Sequence, residues 1–174
     1  MAAFVVFLKG VNVGGNRKFS PAAVARDMAD LGMVNVGAAG TFVARRAAGA
    51  GALRAELSRR LPFEAVAMTC TGRELLDLVR VDPFASRPAD GGDAREMVTV
   101  LEGSPKTLPR LPLRRPAGPA WQIEYFLVIR RFALAYWRPV PGRLLYIDAL
   151  KDLGVDGTTR TWKTILKIRD ILDA

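Results

Sequence analysis

The chain has 174 residues, 50% of them hydrophobic, enough for one packed core or two small lobes and too apolar for general disorder. It has no histidine and one cysteine, which excludes an internal disulfide, a Cys/His zinc site and every mechanism that needs an imidazole. The net charge of +9 favours anionic partners.

Phe4 to Leu8 is apolar without alternation and predicts a central strand. An eleven-residue loop follows, Lys9-Gly-Val-Asn-Val-Gly-Gly-Asn-Arg-Lys-Phe19, and runs into a helix start at Ser20-Pro21. A strand, a glycine-rich loop and a helix N-terminus are the parts of an anion site. Glycines permit close approach, and free backbone N–H groups hold negative charge. Gly14 and Gly15 supply such groups, Lys9, Arg17 and Lys18 supply cations, and Asn12 completes the set of candidate ligand contacts in the loop. The glycine spacing matches neither a Walker loop nor a dinucleotide fingerprint. The plainer reading is a connecting loop whose glycines merely permit its turns, with Asn12 instead bonding its own backbone in a turn.

Ser20 as N-cap, Pro21 at the first helical position and Gly32 at the end define a first helix, with Val24, Met28 and Leu31 as its apolar stripe. Val34 to Val36 and Thr41 to Val43 read as short strands joined through Gly37 to Gly40. A second helix runs from Gly51 to Leu61, closed by Pro62, and Glu64 to Cys70 is a fourth strand. That order is β-α-β-β-α-β, the ferredoxin-like pattern. Alternation puts Cys70 beside Val66 and Met68, where a buried structural thiol is expected rather than a nucleophile.

Thr71-Gly-Arg-Glu74 is a capping box opening a third helix that ends at Asp82-Pro83. Glu96 to Leu101 is a strand, and residues 104 to 119, with five prolines, form an extended connection. Gln122 to Ile129 and Phe132 to Trp137 alternate and predict a hairpin. Arg130-Arg131 is poor chemistry for a two-residue turn, so a longer loop is expected. Leu144 to Ile147 reads as a short strand. Thr161 caps a final helix whose inward face is Trp162, Ile165, Leu166, Ile168, Ile171 and Leu172.

The class expected is therefore α+β, with a ferredoxin-like N-terminal half and a second α/β half sharing the core. One domain over residues 1–174 is expected, with subdomains 1–82 and 83–174. No apolar run approaches a membrane span, and no leader pattern opens the chain, so a cytoplasmic location is the default.

Arg160, just before the final helix, opposes its dipole. A nearby anion accounts for it, and the expectation is that Arg160 joins Arg17 and Lys18 around one anion. Asp148, Asp152 and Asp156 fit no calcium loop and read as a solvated face. No metal or cofactor is expected, and no catalytic group is identifiable. The alternative reading is nucleic-acid binding. Residues 105 to 143 carry eight basic residues and one acid, with Tyr125, Phe126, Phe132, Tyr136 and Trp137 interleaved. Two plainer readings compete: period two makes Phe132, Leu134 and Tyr136 one core face, and arginine-rich, alanine-rich composition accompanies GC-rich coding.

Both ends of the chain resemble one family. Lys9-Gly10-Val11-Asn12-Val13-Gly14-Gly15 resembles the signature of DUF1697, a bacterial family of unknown function, whose members follow a first strand with Arg/Lys-Gly-Ile/Val-Asn-Val-Gly-Gly. Gly157-Thr-Thr-Arg160-Thr-Trp162-Lys-Thr164 is similar to the family's C-terminal Thr-Thr-Arg-Asn-Trp-Asn-Thr. The chain departs at Ala38-Ala39-Gly40-Thr41, where members carry Gln-Ser-Gly-Asn. The resemblance implies that any site using that segment in relatives is altered here.

Overall fold

The computed structural model describes residues 2–12, 15, 17–85, 92–105, 107–141 and 149–174. The α+β class is borne out, with two antiparallel sheets. The chain divides into two compact units, Met1–Val79 with Leu166–Ala174, and Arg80–Ile165.

The first unit contains β1 (Phe4–Leu8), α1 (Pro21–Asp27), a 3-10 turn (Ala29–Leu31), β2 (Met33–Asn35), β3 (Thr41–Ala44), α2 (Ala50–Arg60) and β4 (Ala67–Thr71). The strand order is β2-β3-β1-β4, and every neighbouring pair is antiparallel. β1 is internal, which explains its uninterrupted apolar run: Val5, Val6, Phe7 and Leu8 are all buried. Val6 and Leu8 pack with Val11, Val24, Met28, Phe42, Leu53 and Leu57 in one apolar cluster. Each of these side chains removes roughly 1.5–3 kcal/mol worth of apolar surface from water.

Helix α1 is shorter than its sequence signals predict. Ser20 caps it, its Oγ accepting from Ala23 N–H at 3.3 Å, but the helical run stops at Asp27. Beyond the buried Met28 the chain tightens into the 3-10 turn, and Gly32 ends it at φ 60°.

Helix α3 (Gly72–Val81) opens with the expected capping box. Thr71 N–H and Oγ1 both donate to Glu74 Oε2, at 2.9 and 3.0 Å, and Glu74 N–H donates to Thr71 Oγ1 at 3.1 Å. Cys70 is a buried free thiol, as expected.

The second unit holds β5 (Arg95–Leu101), β6 (Leu113–Arg115), β7 (Ile123–Ile129), β8 (Phe132–Trp137), α4 (Ala149–Asp152) and β9 (Gly157–Thr161). Helix α5 (Trp162–Asp173) follows, its residues divided between the two units. The sheet order is β6-β7-β8-β5-β9. Two sequence expectations change. The β7–β8 turn is tight, with Ile129 paired to Phe132, because Arg130 adopts φ 53° despite its side chain. Residues 157–161 are a strand paired with β5, not simply a helix cap; their β-branched threonines suit a sheet edge. Thr161 still caps α5, its Oγ1 accepting from Thr164 N–H at 3.3 Å. The expected strand Leu144 to Ile147 lies outside the described residues.

Candidate functional site

The loop leaving β1 is anchored at both ends. Leu8 N–H donates to Gly40 O at 2.8 Å, and Lys9 N–H to Val66 O at 2.9 Å. Phe19 closes the far end against Phe63 (ring centroids 5.8 Å, edge-on) and Phe42 (6.5 Å).

Asn12 is the clasp between the anchors. Its Nδ2 donates to Ala38 O at 2.8 Å and to Phe19 O at 3.4 Å, while its Oδ1 accepts from Phe19 N–H at 3.0 Å. Its own N–H donates to Arg17 O at 3.3 Å. Residues 12 and 19 are thus tied together, and Asn12 is tied to the β2–β3 connection at Ala38. The sequence reading placed Asn12 among ligand contacts. Both N–H groups of its amide donate within the protein, to Ala38 O and Phe19 O, and these bonds shape the loop.

The loop also spends conformational strain. Asn12 and Arg17 take φ of 54° and 49°, and Gly15 takes 82°. Lys18 folds back over Gly15: a Cβ at Gly15 would lie 3.9 Å from Lys18 Cε. Arg17, Lys18 and Gly15 are exposed, and Lys9 is half-buried. Gly14, with Val13 and Asn16, lies outside the described residues. Seven-residue α1 adds little dipole, and Ser20 already takes one of its N–H groups. The helix therefore adds little positive potential here, and the charge of this loop is that of Lys9, Arg17 and Lys18.

Gly40 shows why one residue of the 38–41 segment matches the family pattern. At φ 66° a Cβ there would sit 2.7 Å from Val11 Cγ2 and 3.0 Å from Leu8 Cβ. Ala38 and Ala39 are exposed, and the Asn12–Ala38 bond makes this segment the loop's neighbour. Ala38 and Ala39 therefore place no polar side chain beside the loop.

Arg160 belongs to the second unit. It is buried in β9, where its Nη1 donates to Thr158 Oγ1 and to Thr159 O, both at 2.9 Å. Burial pulls its guanidinium down to about 10. The strand setting replaces the helix-dipole argument that led from Arg160 to an anion. Sequence reading also missed a buried hydroxyl chain on the opposite face of β9. Tyr125 OH meets Thr99 Oγ1 at 3.1 Å, and Thr99 Oγ1 meets Thr159 Oγ1 at 2.8 Å. Burial pushes the Tyr125 phenol up, and its bond to Thr99 partly offsets this. The Thr99–Thr159 register was the missing signal, since β9 itself was not foreseen.

Much of the basic segment is engaged within the second unit. Arg114 pairs with the buried Glu124, Arg115 with Asp152 at 2.8 Å, and Arg138 lies 3.7 Å over the buried Trp121 ring. Tyr125, Phe132 and Tyr136 are core, while Phe126, stacked on Tyr136 at 5.0 Å, and Trp137 are half-buried. Lys106 and Arg143 lie outside the described residues. No cluster of three or more metal-ligating side chains occurs among the described residues.

A family model described as a protein of unknown function, DUF1697, matches residues 1–123. The chain belongs to the DUF1697 family. The match takes in both the 9–19 loop and the 38–41 segment, and it stops short of the C-terminal Thr-Thr-Arg. The structure of a conserved bacterial protein from Streptococcus pneumoniae resembles this one over 98% of each chain, with a TM-score of 0.58 and 15% identity, a likeness of fold alone. No curated protein matches the sequence.

Proposed function

We propose that this DUF1697 protein binds a small phosphate- or carboxylate-bearing ligand through residues 9–19. The observation that carries the reading is the clasped loop. Asn12 fixes a strained backbone that turns Arg17 and Lys18 outward beside Gly15, and neither the loop nor the first turn of α1 contains an acid. Holding a loop at positive φ costs free energy, and such strain persists where the surrounding contacts over-determine it. The binding set is Lys9, Gly14, Gly15, Arg17 and Lys18, with Asn12 as the residue that shapes it. Arg160 is left out because its guanidinium is bonded within β9. No helix among the described residues is long and apolar enough to cross a membrane, and a cytoplasmic site of action accompanies this reading.

A thermal-shift screen against phosphate, sugar phosphates, nucleotides, dicarboxylates and short oligonucleotides, at low and moderate salt, tests it. A ligand at 100 times its dissociation constant adds about 2.7 kcal/mol to stability, a visible shift of the midpoint. The reading requires a small-anion hit that tolerates moderate salt and disappears in Arg17→Ala. A response confined to oligonucleotides, lost with salt, transfers the function to the basic 105–143 segment.

A further inference from the structure

A half-enclosed cavity of about 300 Å³ opens in the first unit between α2 and the β4 end of the sheet. Leu8, Leu57, Leu61, Ala65 and Ala67 form its apolar wall. Leu8 and Leu57 belong to the buried core, so the cavity reaches down to it. Arg54 and Ser58 supply its polar edge, and no acid lines it. The volume is at the small end of ligand sites, which are mostly apolar with few polar groups.

This cavity and the anion loop share a boundary. Leu8 is the last residue of β1 and lines the cavity, and Lys9 begins the loop. The Lys9 N–H is bonded to Val66 O, and Val66 sits between the cavity residues Ala65 and Ala67. An apolar wall with one cation, Arg54, on its edge, meeting the cationic loop at Lys9, is complementary to a molecule with an apolar body and an anionic head.

We infer that the ligand of this protein is an amphiphilic organic anion, its head at the 9–19 loop and its apolar part in the α2–β4 cavity. This rests on the loop reading above and adds the chemistry of the remainder of the molecule. The small size of Ala65 and Ala67 keeps the cavity open, and Ser58 on the exposed face of α2 stands at its mouth.

Calorimetric titration with inorganic phosphate and with hexyl phosphate, below its aggregation concentration, tests the inference. Hexyl phosphate is expected to bind at least about tenfold more tightly than phosphate, the gain from burying about two methylenes. Ala65→Leu and, as a surface alternative that spares the wall, Ser58→Leu should each erase that advantage and leave phosphate binding unchanged. Arg17→Ala should weaken both ligands. Equal affinity of the two ligands for the wild type, or an advantage that survives both filling variants, overturns the inference and leaves the loop reading standing. Failure of both ligands to bind overturns the loop reading and this inference with it.

Discussion

Two residues, Asn12 and Gly40, decide the shape of the loop. Asn12 reaches both Phe19 and the carbonyl of Ala38. Asn12→Ala removes these bonds while leaving every cation in place. It should lower stability by about 1 kcal/mol, since each such bond contributes modestly. It should also weaken phosphate binding, which calorimetry reads; unchanged affinity would show that the clasp is irrelevant to the site. Gly40→Ala confronts a positive φ and a 2.7 Å contact with the Val11 side chain in the core. It should cost about 1–3 kcal/mol in denaturant unfolding, more than a typical surface substitution. A neutral result would mean that the β2–β3 connection yields freely.

Among the elements, the β4–α3 junction and β9 make contrasting cases. Thr71→Ala deletes the hydroxyl that caps α3, and should cost about 1 kcal/mol by denaturant midpoint. That junction was legible because Thr71 and Glu74 are local, three residues apart. The length of β1 and the sheet hairpin were legible for the same kind of reason, from apolar runs and alternation. β9 was not: Gly157-Thr-Thr-Arg-Thr has no apolar alternation, and its strand character exists only through pairing with β5. Hence Arg160, expected just before the final helix and found there, was not foreseen as a strand residue, and the Tyr125–Thr99–Thr159 chain went unseen. The tight Arg130-Arg131 turn escaped because strand pairing overrode the turn preference of arginine. The 9–19 loop was legible as a glycine-rich connection, whereas the direction of the Asn12 side chain depends on the distant Ala38 carbonyl.

The hydroxyl chain also predicts a pH effect. Tyr125 sits above its ordinary value of 10.0 because burial disfavours the phenolate. Its contribution to stability is therefore complete below that value and is lost as pH rises through the higher folded value. Unfolding measured from about pH 9 to pH 11 should fall more steeply for the wild type than for Tyr125→Phe. Parallel curves would place the phenol in ordinary solvent.

For the whole molecule, a net charge of +9 alone does not select a partner. What matters is which cations remain available. Arg114, Arg115 and Arg138 are spent on Glu124, Asp152 and Trp121, which favours a structural account of much of the basic segment. Replacing the exposed Arg110 and Arg130 by alanine should leave small-anion binding within about twofold of the wild type, since a local site does not depend on diffuse charge screened by salt. A large loss in that variant would point to a diffuse electrostatic surface instead. The family match covers the loop and the adjoining β2–β3 segment together, which is the part of the chain where binding is proposed.

The most direct test is a phosphate titration followed by backbone amide NMR on the wild type and on the Arg17→Ala, Lys18→Ala double variant. The account predicts saturable shifts concentrated at Gly10, Gly15, Arg17 and Lys18, absent from the double variant. Shifts that fall instead on the 105–143 segment, or that persist unchanged in the double variant, would contradict it.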